Sequence, residues 1–176
     1  ALSYGATSYK INNNNLGFGP LPETEVSTSA VFLSGEYNTD KWKFVGEYVP
    51  TRNKLLNLIG LPNQDTKGLS YYLQSTYRLN QKWDLMLRRG VLYIDKNDKS
   101  GSVLSANTGY PAHSFYAKNW VLGTGWHYSD SLLFRAEYYN IEGTGWVPIK
   151  DFLYSLQQGS LHKDWQMFML QASYRF

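Results

Sequence analysis

The sequence predicts an all-β protein in which eight antiparallel strands follow one another as an up-and-down meander. Apolar and polar residues alternate strictly in several segments, and a period of two is typical of strands with two different faces. Short and long connections between these segments also alternate. No window shows a convincing helical period. A single domain over residues 1–176 is expected, since this length suits one domain of ordinary size.

The strand candidates lie at about 2–11, 28–37, 41–50, 68–79, 82–94, 119–128, 131–141 and 165–176. The third and fourth alternate clearly, with apolar faces that carry Trp42, Phe44 and Tyr48, and Leu69, Tyr71 and Leu73. In the seventh, Leu132, Phe134, Ala136 and Tyr138 oppose Leu133, Arg135, Glu137 and Tyr139. The eighth is the most regular, with Phe168, Leu170, Ala172, Tyr174 and Phe176 on one face.

The connections predict where the two ends of the sheet lie. Three are tight and polar, at Asn38-Thr39-Asp40, Asn80-Gln81 and Ser129-Asp130. Four are long, at about 12–27, 51–67, 95–118 and 142–164. Because the two kinds alternate, an antiparallel meander places all the tight turns at one end and all the long loops at the other.

Composition excludes several classes of protein. The chain has 6 Trp, 15 Tyr and 8 Phe, yet its mean hydropathy is −0.44, and no apolar run approaches the ~20 residues of a membrane-spanning helix. With no cysteine, it forms neither a disulfide framework nor a thiolate metal site. The net charge of +3 is scattered, whereas nucleic-acid binders concentrate basic residues in a patch. No nucleic-acid partner, metal or other cofactor is therefore expected.

The loop pattern is typical of outer-membrane barrels, which have short periplasmic turns and long extracellular loops. Strands of ~9–11 residues cross a bilayer at the usual tilt, and only a closed barrel pairs every backbone group there. Trp42, Trp83 and Trp126 fall beside the tight turns, and Tyr48, Tyr93, Trp120 and Trp146 fall nearer the long loops, as in interfacial girdles. A soluble barrel or sandwich also alternates, but apolar faces on nearly every strand favour the membrane.

Two sets of segments resemble known outer-membrane proteins. The run from Trp165 to Phe176 resembles the last strand of Gram-negative outer-membrane β-barrels. That resemblance implies that Phe176, with Tyr174 two residues before it, is the signal read by the barrel-assembly machinery. Gln171 stands where that family often has a small residue. The segments Asn119–Gly123, Leu132–Tyr138 and Gly143–Trp146 resemble the closing part of porin-like barrels, which often have about sixteen strands.

Two interpretations of the chain stay open. It is either a complete eight-stranded barrel with Ala1 as the mature terminus, or the C-terminal half of a larger porin-like barrel. The interior of an eight-stranded barrel is filled by side chains, whereas sixteen strands leave an aqueous channel.

The polar faces predict the residues that line the lumen: Glu36, Lys43, Glu47, Arg78, Asp84, Arg88, His127, Arg135, Glu137 and Arg175. A charge that faces lipid at the midplane costs ~2–4 kcal/mol, so these side chains need the interior. In a narrow barrel they would form a salt-bridged plug, in which Arg135, Glu137, Glu47 and Arg78 neutralise one another. In a wide one they would form a selectivity zone that weakly favours anions.

Four residues of the fifth and sixth predicted strands call for a local adjustment of this arrangement. Arg88 and Arg89 cannot both point inward on a regular strand, so we expect either a bulge or an arginine that reaches the membrane interface. Gly123 and Gly125 are expected to relieve crowding on the inner face or to permit a bend.

The expected function is a porin-like channel of the bacterial outer membrane for passive diffusion of small solutes or ions. Its expected partners are outer-membrane lipid, lipopolysaccharide, the barrel-assembly machinery and small hydrophilic solutes. The alternative is a closed eight-stranded barrel whose loops bind a partner through Tyr110, Pro111, Phe115, Trp146, Phe152 and Tyr154.

An enzyme is not expected. His127-Tyr128-Ser129, with Glu137 to orient the histidine, resembles the His-X-Ser element of outer-membrane lipid A deacylases. The predicted topology, however, places Ser129 in a periplasmic turn, whereas that family works at the outer leaflet.

Overall fold

A computed structural model describes residues 1–11, 24–57 and 63–176. The strands are β1 (Leu2–Ile11), β2 (Thr24–Asn38), β3 (Trp42–Leu56), β4 (Gln64–Arg78), β5 (Trp83–Tyr93), β6 (Tyr116–His127), β7 (Leu132–Glu142) and β8 (Asp164–Tyr174). They form one eight-stranded sheet in chain order, and each neighbouring pair is antiparallel. The predicted all-β, up-and-down architecture is therefore confirmed.

Three strands extend beyond their predicted ends. β2, β3 and β4 each have 15 residues, and their extra residues pair with one another through Ser27↔Lys54 and Lys54↔Asp65. These extensions are mostly polar on both faces. They therefore lack apolar alternation, although their backbones pair regularly.

The three tight turns lie at one end of the sheet and are closed by short polar side chains. The hydroxyl of Thr39 accepts a hydrogen bond from the backbone N–H of Trp42 at 2.9 Å. The Asn80 amide oxygen accepts from the N–H groups of Lys82 and Trp83 at 2.8 and 3.0 Å. The Ser129 hydroxyl accepts from the N–H of Leu132 at 3.2 Å. The predicted long connections 12–27 and 51–67 lie partly outside the described residues, at 12–23 and 58–62.

The two other long connections contain short helices, which no helical period in the sequence indicated. They are α1 (Ser102–Thr108), a 3₁₀ helix (Ala112–Phe115) and α2 (Ile149–Gln157). Helices of one or two turns are too short to produce a recognisable period of 3.6 residues. Within the described part of the chain, none of these helices has the length and apolar character needed to cross a membrane.

Asp98 holds the start of α1. Its carboxylate accepts hydrogen bonds from the backbone N–H of Leu104 at 2.9 Å and from the Ser100 hydroxyl at 3.2 Å. Burial alone would raise the pKa of Asp98, but these hydrogen bonds outweigh it and hold the pKa below its ordinary value. The helix begins after Gly101 and ends before Gly109, both in the left-handed region with φ of 72° and 77°.

The two helical connections pack on each other, and we call residues 94–115 and 143–163 the loop cap. The backbone N–H of Thr144 donates to the carbonyl of His113 at 2.7 Å, and that of Gly145 donates to the carbonyl of Tyr116 at 2.9 Å. The Tyr110 ring meets the buried Phe152 ring edge-on at 5.5 Å. The loop cap is thus tied to the ends of β6 and β7.

The two faces of the sheet differ in chemistry. The face that carries Asp84, Met86 and Glu137 is called the polar face, and these three side chains are buried there. The opposite face, called the apolar face, carries large exposed side chains such as Leu73, Leu122 and Leu170. In the described residues β1 pairs only with β2 and β8 only with β7, so the sheet is open.

Candidate functional site

The strand register places all ten predicted lumen residues on the polar face. In neighbouring strands Arg78 is opposite Asp84, Asp84 is opposite Gly125, and Gly125 is opposite Arg135. His127 and Glu137 share this face because each is two residues from a member of that row. The remaining members follow the same parity: Glu36, Lys43, Glu47, Arg88 and Arg175.

One group of polar-face residues is centred on Asp84. The Nε2 atom of His127 lies 2.8 Å from Asp84 Oδ2, and Arg135 Nη2 lies 3.9 Å from Asp84 Oδ1. The Asp84 side chain is buried, and its Oδ1 has no hydrogen-bond partner among the described residues. This carboxylate is therefore flanked by two groups that carry, or can carry, positive charge.

A second group is centred on Glu137. The Tyr139 hydroxyl donates to Glu137 Oε2 at 2.6 Å, and Arg88 Nη2 donates to the Tyr139 hydroxyl at 2.9 Å. Arg88 Nη2 also lies 3.4 Å from Glu137 Oε2. Arg135 Nη1 lies 3.9 Å from Glu137 Oε1 and so connects the two groups. We call Asp84, Arg88, His127, Arg135, Glu137 and Tyr139 the charge network.

Glycine in β6 makes room for this network. A Cβ at position 125 would lie 2.7 to 2.9 Å from the Asp84 carboxyl group, closer than packed carbon atoms approach. A Cβ at position 123 would lie 2.8 Å from the Met86 methyl group and 3.3 Å from Glu137 Cγ. Both glycines face polar-face side chains, as expected from the prediction that they relieve crowding there.

The other predicted lumen residues do not join the network. Lys43 and Glu36 form a separate exposed ion pair at 3.0 Å, and Arg78 donates to the backbone carbonyl of Asp40 at 3.3 Å. Among the described residues, neither Glu47 nor Arg175 has an ion-pair partner. Arg135 and Glu137 are brought together in the open sheet, but Glu47 and Arg78 do not pair with them. The four-residue neutralisation expected of a narrow closed barrel stays a prediction.

Arg88 and Arg89 lie on opposite faces of a continuous ladder. Arg88 is opposite Gln74 and Arg89 opposite Leu73, so the strand has no bulge. The guanidinium of Arg89 lies 5.1 Å from the centre of the Trp120 ring on the apolar face. The Arg89 guanidinium therefore makes a cation–π contact with Trp120.

Two residues of the site, Tyr139 and Asn119, were not predicted from sequence, and Trp146 was predicted only as a girdle or loop aromatic. Tyr139 could have been found, because it lies two residues after Glu137 on the same strand. Asn119 is almost fully buried on the polar face, opposite Gly90. Trp146 was assigned to an aromatic girdle, but it belongs to the loop cap and lies against the polar face.

Trp146 closes one side of a recess of about 300 Å³ on the polar face. The opposite walls come from β4 to β7, and the principal lining residues are Tyr72, Arg88, Gly90, Asn119, Tyr139 and Trp146. The recess therefore adjoins the charge network at Arg88 and Tyr139.

The loop aromatics are largely packed inside the loop cap. Phe152 is buried, and Tyr110, Pro111 and Phe115 are half-buried. Tyr154 and Trp146 are exposed. Most of this set therefore contributes to loop packing, and two members offer ring surface to solvent.

His127 and Ser129 are not arranged as a nucleophile and its base in this structure. The Ser129 hydroxyl accepts backbone hydrogen bonds from Ser131 and Leu132 in the tight turn. His127 instead lies against Asp84. The described residues contain no cluster of three or more side chains suited to a metal ion.

Comparisons of the chain with protein-family models, with curated proteins and with solved structures gave no match.

Proposed function

We propose that the chain forms all or part of a transmembrane β-barrel of the bacterial outer membrane and acts as a porin-like channel for small hydrophilic solutes or ions. In this proposal the apolar face contacts lipid and the polar face lines a water-filled lumen. The sheet closes either through β1 and β8 or through further strands. The observation that carries the proposal is the division of charge between the two faces.

The apolar face carries an uncharged band on each strand. On β3 it runs from Trp42 to Pro50 and on β6 from Trp126 to Trp120, with no charged residue of those two strands on that face between these limits. On β5 the uncharged run is shorter, from Trp83 to Leu87, because Arg89 follows on the same face. The eight steps from Trp42 to Pro50 cover about 26 Å along the strand, or about 20 Å of height at a tilt of ~35–45°, against the ~25 Å apolar band of outer-membrane barrels. Charges such as Arg52 and Lys118 begin beyond the band, on the side of the long loops.

Aromatic rings edge this band at the tight-turn end. Trp126 stacks with Trp83 at 5.8 Å and with Phe134 at 5.6 Å between ring centroids. Trp42 contacts Tyr77 at 4.7 Å. At the other end Arg89 covers Trp120. Rings at such positions suit the headgroup region, where aromatic residues of membrane proteins concentrate.

The size of the exposed apolar surface supports the same proposal. Leu122 is 60%, Phe168 65% and Leu170 72% exposed, and all three lie on the apolar face. Contiguous surface of this kind is rare on soluble monomers and marks contact with a membrane or a partner. Lipid would cover this surface without requiring another protein layer.

Single-channel recording in planar bilayers tests the proposal, using the native protein. We expect steady conductance with a weak preference for anions. Replacing Arg135 with Ala removes a lumen cation and should shift the selectivity toward cations. Lys82→Ala, in a tight turn, is the matched control and should not. The absence of any conductance would contradict the proposal.

Cysteine labelling from the aqueous phase tests the assignment of the two faces in reconstituted vesicles. Phe134→Cys and Leu170→Cys should resist a water-soluble maleimide, because lipid covers them. Arg135→Cys and Gln171→Cys, one residue further along the same strands, should react. The reverse pattern would show that the faces have been exchanged.

The second candidate function is binding of a partner by the loop cap of a closed eight-stranded barrel. It is favoured by two exposed apolar side chains on the cap, Val103 on α1 and Tyr154 on α2. Exposed aromatic residues often anchor protein interfaces. A barrel with no conductance, to which bacterial surface components bind in a Tyr154-dependent manner, would select this alternative.

A further inference from the structure

We infer that the recess beneath Trp146 is a binding subsite for a neutral, hydroxyl-rich ring compound such as a mono- or disaccharide. The inference rests on the proposed channel, because the polar face is the lumen only in a closed barrel. It adds a solute class and names the residues that would select it.

The electrostatics of the recess favour a neutral solute. Arg88 is the cation of the recess, and its charge is compensated by Glu137 at 3.4 Å. The Tyr139 hydroxyl bridges the same two side chains. An anion would have to compete with the Glu137 carboxylate for Arg88, and a cation would meet the Arg88 guanidinium. A solute without charge avoids both penalties.

The polar groups of the recess suit hydroxyls. Only Nη2 of Arg88 is engaged in the described hydrogen bonds, although a guanidinium carries five N–H donors in a rigid fork. The Tyr72 side chain adds a hydroxyl that both donates and accepts. Asn119 also lines the recess, but it is almost fully buried and its Oδ1 is enclosed. Hydroxyl groups, which also donate and accept, match such a mixed set.

The aromatic wall suits a ring. Trp146 is 39% exposed and lines the recess opposite the strands, so part of its ring is available to a ligand. An indole face offers a flat apolar surface of large area. A sugar ring can place its C–H groups on that surface while its hydroxyls reach the strands.

The loop that carries Trp146 is held at both ends, which makes the wall a fixed part of the site. Before it, the N–H of Gly143 donates to the Lys163 carbonyl at 2.7 Å, and the indole N–H of Trp165 donates to the Gly143 carbonyl at 3.0 Å. After it, the N–H of Val147 donates to the Thr144 carbonyl at 3.0 Å. Preorganised walls lower the ordering cost of binding.

Two features set the size of ligand that the recess can hold: the glycine at position 90 and the volume of the recess. A Cβ at position 90 would overlap the Asn119 amide oxygen, so any larger residue would push Asn119 toward the recess. The volume of about 300 Å³ lies at the lower end of ligand-site volumes, which run from about 300 to 1,000 Å³. The recess thus has room for one or two sugar rings at a time.

The test measures binding and conduction separately on the same protein. Binding of glucose and of sucrose to the detergent-solubilised barrel is followed by titration calorimetry, with inorganic phosphate as the charged competitor. We expect a saccharide to bind and phosphate not to displace it. Trp146→Ala should weaken binding by about tenfold or more, whereas Trp146→Phe should restore most of it. Tyr154→Ala, in the same loop cap but outside the recess, should bind as the native protein does.

In planar bilayers the bound saccharide should block the current of the native channel, and the block should weaken in Trp146→Ala. Conductance without any saccharide binding or block would overturn the subsite and leave the channel proposal standing. Saccharide binding without conductance would support the subsite and contradict the channel. Phosphate binding in place of saccharide, or equal loss in Trp146→Ala and Tyr154→Ala, would overturn the inference.

Discussion

The two halves of the sheet differ in how their polar faces are packed. In β5 to β8 the polar face holds the charge network, buried Met86 and Val121, and the loop cap above them. In β1 to β4 the same face mixes small hydroxyl residues such as Thr28 and Ser34 with apolar and charged ones, and its ion pair Glu36–Lys43 is exposed. Burial in this single-layer sheet is therefore local, and it follows the large charged side chains and the loops that cover them.

The difference shows that a polar face need not be uniformly wet or uniformly charged. If the sheet closes as proposed, one wall of the lumen holds a paired charge network, and the other holds more dispersed charges among hydroxyl and apolar side chains. The selectivity of such a pore would then depend most on the paired residues of β5 to β7.

The largest expected effect comes from removing Glu137. Its carboxylate accepts a hydrogen bond from Tyr139 and forms ion pairs with Arg88 and Arg135. Glu137→Ala therefore leaves two guanidinium groups and a buried hydroxyl without this partner. Hydrogen bonds to charged groups contribute about 1.5–3 kcal/mol, and we expect a comparable loss in the free energy of unfolding. Urea denaturation in one detergent, followed by tryptophan fluorescence, measures it.

The matched variant in the other half is Glu36→Ala. Glu36 and Lys43 are both exposed, and solvent screens such a pair. We therefore expect no resolvable shift of its urea midpoint. Equal losses in the Glu36 and Glu137 variants would remove the distinction between the two halves.

Two glycine substitutions, one in each half of the sheet, give the next largest difference in stability. Gly125→Ala pushes a methyl group against the buried Asp84 carboxyl group, and overpacking typically costs about 1–3 kcal/mol. Gly35→Ala, in β2, meets nothing within 4 Å of its new Cβ and should be neutral or slightly stabilising, since alanine restricts the unfolded chain. Thermal unfolding of both variants in one detergent makes the comparison. A neutral Gly125→Ala would mean that Asp84 is free to move.

The smallest effect concerns the order of the loop cap. The pKa of Asp98 is held below its ordinary value by the hydrogen bonds that it accepts from Ser100 and the Leu104 backbone. A carboxyl group with a lowered folded pKa stabilises the fold above its unfolded pKa of about 3.9, and this contribution is lost as the pH falls through the folded pKa. Protection of the Leu104 amide against hydrogen exchange should therefore fall in acid.

Asp98→Asn isolates this contribution. At neutral pH we expect about fivefold lower protection at Leu104, equivalent to the ~1 kcal/mol of one hydrogen bond, and a weaker response to acid than in the native chain. Protection at Val121, in the centre of the sheet, serves as the control. Unchanged protection at Leu104 in the variant would show that Asp98 does not hold the start of α1.

Strand positions and facing could be predicted from sequence, because side-chain direction in a strand has a period of two. Leu132 to Tyr139 shows this, since its alternation separates Phe134 from Arg135 correctly across the sheet. The added lengths of β2 to β4 could not be predicted, since residues such as Ser27 and Lys54 carry no apolar signal.

The side-chain pairings within the site could not be predicted from sequence, for a different reason. Asp84 and His127 are 43 residues apart and are brought together by the register between β5 and β6. Those strands are joined by a long loop, which does not specify a register as a two-residue turn does. The position of Trp146 depends in the same way on how two loops pack together.

The strand order has a consequence for the speed of folding. Every strand pair in the described structure joins neighbours along the chain, and chains dominated by local contacts fold faster than those that need distant ones. The hairpins with tight turns close the shortest loops, so we expect them to form first. Closing the sheet through β1 and β8 would join segments separated by almost the whole chain. That meeting of the two edges, rather than the formation of any hairpin, is then expected to set the time that the protein takes to fold.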